Sequence, residues 1–263
     1  MKHFRRILLV GASFMSCAVA AEEWSLTVVP AIDLAFKNNR YSVPAVDVDL
    51  KFKASFTTLV PSLTFAYGPI YASVNYDFTI ADSEKYITGT SANPGFTTVR
   101  YGRKDATLTL GYRLHPAVNI FGGYTQGRGT LLLSSIDNVG ASFATTRVFN
   151  ENGFYVGTSY NHAFSERGAL NLGAAYGYLD GLLTGATDTD NVEIVSKAPG
   201  YSLNLAWIQA ATKTLSYRIG VKYTSYTFEG KEYRNNGVVV PLPREFNYYE
   251  KITTFYIGVV DYF

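Results

Sequence analysis

Six charged side chains, Asp33, Asp77, Asp105, Arg113, Arg218 and Lys222, sit among small and polar residues that alternate with apolar ones. Successive side chains of an extended strand point to opposite faces. All six therefore fall on the face opposite the Leu, Ile, Tyr and Phe, and both signs are present there. Two chemistries follow. Opposed charges can pair and hold a narrow interior closed, or they can line a constriction that selects solutes. We expect Arg218 and Lys222 to face one or more of Asp33, Asp77 and Asp105.

Catalysis by a nucleophile or by proton transfer needs a base within hydrogen-bond reach of its partner. Beyond the N-terminal segment the histidines are His115 and His162. Both lie at or beside turn signals, His115-Pro116 and Ser165-Glu166-Arg167-Gly168, where a plain turn residue is the simpler role. No catalytic residue is expected. Asp188-Thr189-Asp190-Asn191 with Glu193 spaces oxygen ligands loosely like a calcium loop. The sixth position is Glu193 where glycine is required, and the twelfth is not acidic. No metal and no cofactor is expected.

The elements that would carry the six charges are strands. Leu63, Phe65 and Tyr67 share one face, Gly68-Pro69 turns the chain, and Ala72, Val74, Tyr76, Phe78 and Ile80 return. The unit recurs around His115-Pro116, around Ser165–Gly168 and around Ala211-Thr212-Lys213, roughly every fifty residues. One strand is left over at each end, Trp24–Phe36 and Phe255–Phe263, and these two would pair and close the sheet. Pro30 cannot donate to a ladder, so a gap or bulge is expected there. Val46, Val48, Leu50 and Phe52 alternate in the opposite parity to Leu59, Leu63 and Phe65, which suggests a bulge near Phe56. The count is ten strands, with eight or twelve as the neighbouring even counts. Four short turns alternate with five long connections near 38–50, 81–104, 127–152, 180–199 and 229–249.

The faces decide between a soluble sandwich and a membrane barrel. The non-apolar face is Gly, Ala, Ser, Thr and Asn (Asn171, Gly173, Ala175, Gly177; Ser202, Asn204, Ala206). Such residues suit a narrow lumen, whereas a solvent-facing sheet would carry more Lys and Glu. The 21 tyrosines and 17 phenylalanines against 2 methionines favour strands and membrane interfaces. Trp24, Trp207, Tyr217 and Tyr262 would form a belt at one edge, and Phe36, Phe78, Tyr178, Tyr201 and Tyr223 at the other.

The N-terminus places Lys2, Arg5 and Arg6 before an apolar stretch and Ala18-Val19-Ala20. That pattern predicts a secretory signal over 1–21 and a barrel domain over 22–263. The signal would hold Cys17, the one cysteine, and three of the 23 basic residues but none of the 21 acidic ones. The remainder is nearly neutral, so nucleic acid is not an expected partner.

The C-terminus ends an amphipathic strand on Tyr256, Gly258 and Phe263. This resembles the barrel-assembly signal of Gram-negative outer-membrane β-barrels, with Asp261 departing from the usual apolar residue. The resemblance implies an all-β, transmembrane, antiparallel up-and-down barrel with short periplasmic turns, long extracellular loops and both termini in the periplasm. It also implies contact with outer-membrane lipid, with lipopolysaccharide and, during biogenesis, with the barrel-assembly machinery. Lys85, Arg100, Arg103 and Lys104 in one loop, and Lys231, Arg234 and Arg244 in another, could meet lipopolysaccharide phosphates. The outer-membrane omptin proteases are similar in strand number only, since their His–Asp pair at the outer rim has no counterpart here. Two functions stay open: a narrow porin-like channel for small solutes, or a non-conducting surface barrel acting in adhesion, receptor binding or envelope integrity.

Overall fold

The computed structural model describes residues 10–11, 14–15, 25–44, 49–88, 96–136, 142–164, 168–186, 191–240 and 247–262. Phe263 and residues 188–190 of the calcium-loop pattern lie outside them, as do Trp24 and Arg244. Ten strands form one closed wall: β1 (Leu26–Pro44), β2 (Asp49–Tyr67), β3 (Ile70–Ala81, continued after Asp82 by Ser83–Thr88), β4 (Phe96–His115) and β5 (Val118–Ile136) come first. Then follow β6 (Ser142–Ala163), β7 (Gly168–Ala186), β8 (Asn191–Ala210), β9 (Leu215–Asn235) and β10 (Asn247–Asp261). Each pairs antiparallel with the next. β10 returns to β1, from Tyr249↔Ser42 to Val260↔Ala31, so the wall closes. Val10–Gly11 pairs with Phe14–Met15 in a separate two-stranded sheet.

Short turns lie at one end, with the start of β1 and the end of β10. At the other end the five long connections are β-ladder for most of their length. β1 and β2 stay paired to Pro44↔Asp49, β5 and β6 to Ile136↔Ser142, and β7 and β8 to Ala186↔Asn191. Asn236 and Gly237, both with positive φ, turn β9 back as a tip hairpin onto Val238–Val240.

The wall has two environments. Near the short turns the outward face is apolar: Leu26 is 63% exposed, Leu110 58%, Phe154 72% and Phe255 59%. That band covers about five outward positions per strand, the span a bilayer requires. Most strands run 19 to 22 residues, so roughly half of the wall stands beyond the band. There the inside is apolar instead. Tyr41, Phe56, Tyr101, Leu131, Phe149, Leu179, Phe228 and Tyr248 form one buried cluster.

β2 shows how the two halves join. Even residues from Ala54 to Ala66 face inward and odd ones from Lys53 to Tyr67 outward. The pairing with β1 has no shift from Leu26↔Tyr67 to Pro44↔Asp49. The bulge expected near Phe56 in β2 is therefore absent. The irregularity sits across the ladder in β3, where Thr79 pairs with Thr58 and Ala81 with Thr57. The parity of hydrophobicity reverses along the strand: the apolar side chain is on the outer face at Phe65 and on the inner face at Phe56, with Lys53 outward above it. Pro30 also causes no register shift with β2, where it pairs with Leu63, but pairing with β10 stops one residue short of it, at Ala31.

Inward aromatics lie over inward glycines of neighbouring strands. A Cβ on Gly111 would meet Tyr71 at 2.1 Å, and one on Gly200 would meet Tyr226 at 2.0 Å and the Ser225 carbonyl at 2.6 Å. The ring can move, but the ladder carbonyl cannot. Gly200→Ala is expected to destabilise the barrel by about 1–3 kcal/mol, read as a lower urea midpoint in detergent micelles.

Candidate functional site: a bridged lumen

The structure turns all six predicted charges inward. Near the short-turn end, Arg218 Nε donates to Asp33 Oδ1 at 2.6 Å and Nη2 to Asp33 Oδ2 at 2.5 Å. Both side chains are nearly inaccessible. β1 and β9 supply the pair, and β10 between them makes room with Gly258, whose Cβ would sit 1.9 Å from Asp33 Oδ1. Arg218 thus meets Asp33, and not Asp77 or Asp105. Tyr256 covers Gly220 and donates its hydroxyl to Asn204 at 3.0 Å. Arg113 is buried, with its Nε unpartnered among the described residues.

Midway up, Lys37 Nζ donates to Asp77 at 2.5 Å and stands 3.8 Å from Asp105. Above it, Arg103 spans the lumen. Its Nε donates to both oxygens of Asp105 at 2.9 and 2.8 Å, Nη1 to Glu250 at 2.6 Å and Nη2 to Glu151 at 2.8 Å. One guanidinium therefore ties β4 to β6 and β10. Tyr41 of β1 donates to Glu151 at 3.3 Å from the opposite wall, and Asn39 donates to Glu250 at 2.9 Å. The apolar cluster around Phe149, Phe228 and Tyr248 fills the space beyond. Below Arg103 a cavity of about 210 Å³ remains, lined by Asp33, Asp77, Asp105 and Lys222 among others. Lys222 projects into it, water-accessible, with no ion pair among the described residues.

Lys37, Arg103, Glu151 and Glu250 escaped the sequence reading. Arg103 was expected in a loop facing lipopolysaccharide. It is instead 7% exposed and points inward, because β4 continues through it in the parity of Asp105 and Arg113. That parity was the available signal, as it was for Lys37 after Asp33 and Ala35. Of the other loop cations, Arg234 pairs with Glu232 and Glu193, and Lys231 with Glu229. His162 stacks on Tyr160 beside its turn, and His115 Nδ1 accepts from the Ala117 amide at the short-turn end.

The upper network crowds carboxylates. Burial pushes the Glu151 carboxyl up to about 8; Arg103 opposes this, while Glu250 and Asp105 add to it. The same burial raises the Tyr41 and Tyr101 hydroxyls, which stay protonated and can donate. In the fold Glu151 keeps a proton that the unfolded chain releases near its ordinary value of 4.5. Its contribution to stability is complete below that value and is lost as pH rises through about 8. The urea midpoint is expected to fall across this window, and Glu151→Gln to flatten the fall.

No protein-family model matches the chain, and no curated relative does. Among solved structures, the chain is similar to the outer membrane protease OmpT of Escherichia coli, with TM-score 0.55 and 13% identity, covering 92% of this chain and 99% of that one. It is more distantly similar to Ail of Yersinia pestis, with TM-score 0.37, 8% identity, and 90% and 99% covered. OprG of Pseudomonas aeruginosa gives TM-score 0.34 and 8% identity, with 88% and 95% covered. The likeness to OmpT is one of fold, and here that fold is a closed antiparallel β-barrel.

Proposed function

We propose that this chain is a non-conducting barrel of the Gram-negative outer membrane, working at the cell surface through the half of its wall that stands above the lipid. Both termini then lie in the periplasm with the short turns. Its role belongs with adhesion, receptor binding or envelope integrity. One observation carries this reading: Arg103 of β4 is hydrogen-bonded at once to Asp105 on its own strand, to Glu151 on β6 and to Glu250 on β10. The bridge closes the path that a porin-like channel would need. A non-enzymatic role fits the two histidines, which sit at the end opposite the exposed wall.

Single-channel recording in planar bilayers tests it. Folded protein is expected to give no discrete conductance steps. Steps whose ion selectivity shifts in Lys222→Glu would make the cavity part of a pore and overturn the proposal. Placement is checked separately by adding Asn236→Cys at the tip hairpin. A membrane-impermeant maleimide applied to intact cells is expected to label it.

A further inference from the structure

The outer surface above the apolar band carries cations in direct register. Arg40 of β1 is the cross-strand partner of Lys251 on β10 and of Lys53 on β2. Lys104 of β4 is the partner of Arg128 on β5. All five side chains are exposed, and none has an ion pair among the described residues. Lys197, Lys231 and Arg234, by contrast, each have a carboxylate beside them.

Like charges directly opposite each other destabilise a ladder. A row of three on adjacent strands therefore calls for an anion from outside the chain. Its depth says where that anion sits. Arg40 lies four residues beyond Phe36 and Arg128 four beyond Tyr124, while Lys251 lies four before Phe255 and Lys104 four before Leu108. Phe36, Leu108, Phe255 and Tyr124 are lipid-facing residues near the upper edge of the band. At about 3.3 Å per residue and a tilt of about 40°, the cations stand roughly 10 Å above that edge. This is headgroup depth.

We propose that the rows Lys251–Arg40–Lys53 and Lys104–Arg128 bind the phosphate groups of the outer-leaflet glycolipid, lipopolysaccharide. All five cations stand on the exposed outer face of the wall. A lipid surface supplies several phosphates at one fixed height, matching cations spread along the wall at one height. The inference rests on the membrane placement proposed above and is independent of whether the lumen conducts.

The test compares wild type with R40Q/K251Q, both reconstituted in phosphatidylcholine vesicles with and without bisphosphorylated lipid A. Lipid A is expected to raise the unfolding temperature of wild type and not of the variant. In phosphatidylcholine alone the variant is expected to equal or exceed wild type, because its repulsion has been removed. Titration with lipid A in neutral detergent is expected to show about 30-fold weaker binding by the variant. Equal binding by both proteins would overturn the proposal, and so would equal stabilisation by dephosphorylated lipid A. Pyrophosphate binding as tightly as lipid A would overturn the assignment to lipid. Failure to insert into either vesicle would sink the membrane placement itself, whereas insertion without phosphate dependence would sink only this site.

Discussion

Arg103→Ala is expected to cost the barrel more stability than any other single truncation in the lumen, roughly 3–5 kcal/mol. The guanidinium is the shared donor for Asp105, Glu151 and Glu250. Glu151 and Glu250 are 2% and 0% exposed, so water cannot replace what is removed. Two carboxylates would be left buried near each other, with Tyr41 and Asn39 still donating to them. The loss has a pH signature. Without the cation, the variant can relieve the strain only by taking up protons. It should therefore lie closest to wild type in acid and fall furthest below it above about pH 8. Urea unfolding of the folded protein in micelles at several pH values measures this. A variant as stable as wild type at pH 9 would show that Arg103 does not hold the network together.

Arg218→Glu is expected to have the second-largest effect. It would place a carboxylate where the guanidinium now grips Asp33 through two hydrogen bonds. Both positions back onto the apolar outer band of the wall, formed here by Ile32, Ile219 and Ile257, and both side chains are buried inside it. Gly258 leaves Asp33 no slack, since even a Cβ at Gly258 would overlap the carboxylate. We expect a loss of at least about 3–5 kcal/mol and a reduced folded fraction on heat-shift gels. The paired replacement D33N/R218M removes both charges at similar volume and is expected to recover most of the loss. If the double variant were as unstable as R218E, the defect would lie in packing and not in charge.

Particular residues show how far the chain can be read without its fold. Leu63–Ile80 states its hairpin outright, because Gly68-Pro69 separates two runs of strict alternation. The inward direction of Asp33, Asp77, Asp105, Arg113, Arg218 and Lys222 follows from the same parity. Arg103, Glu151 and Glu250 were hidden because the apolar partner expected on the opposite face disappears above the apolar band. There Lys104, Asn152 and Lys251 face water, and the strand resembles a loop.

Sequence alone therefore determined the strand count, the closure of β10 on β1 and the inward side of Asp33, Asp77, Asp105, Arg113, Arg218 and Lys222. All three depend on period-two alternation and turn chemistry, which are local. Only the tertiary structure decided which charges meet. Asn39 and Glu250 are 211 residues apart and bond because the wall closes and its strands tilt. It also decided where the wall changes character, since alternation marks an apolar face without saying whether lipid or a core lies against it. At Phe56 and Phe65 the same strand, in one unbroken register, answers in opposite directions.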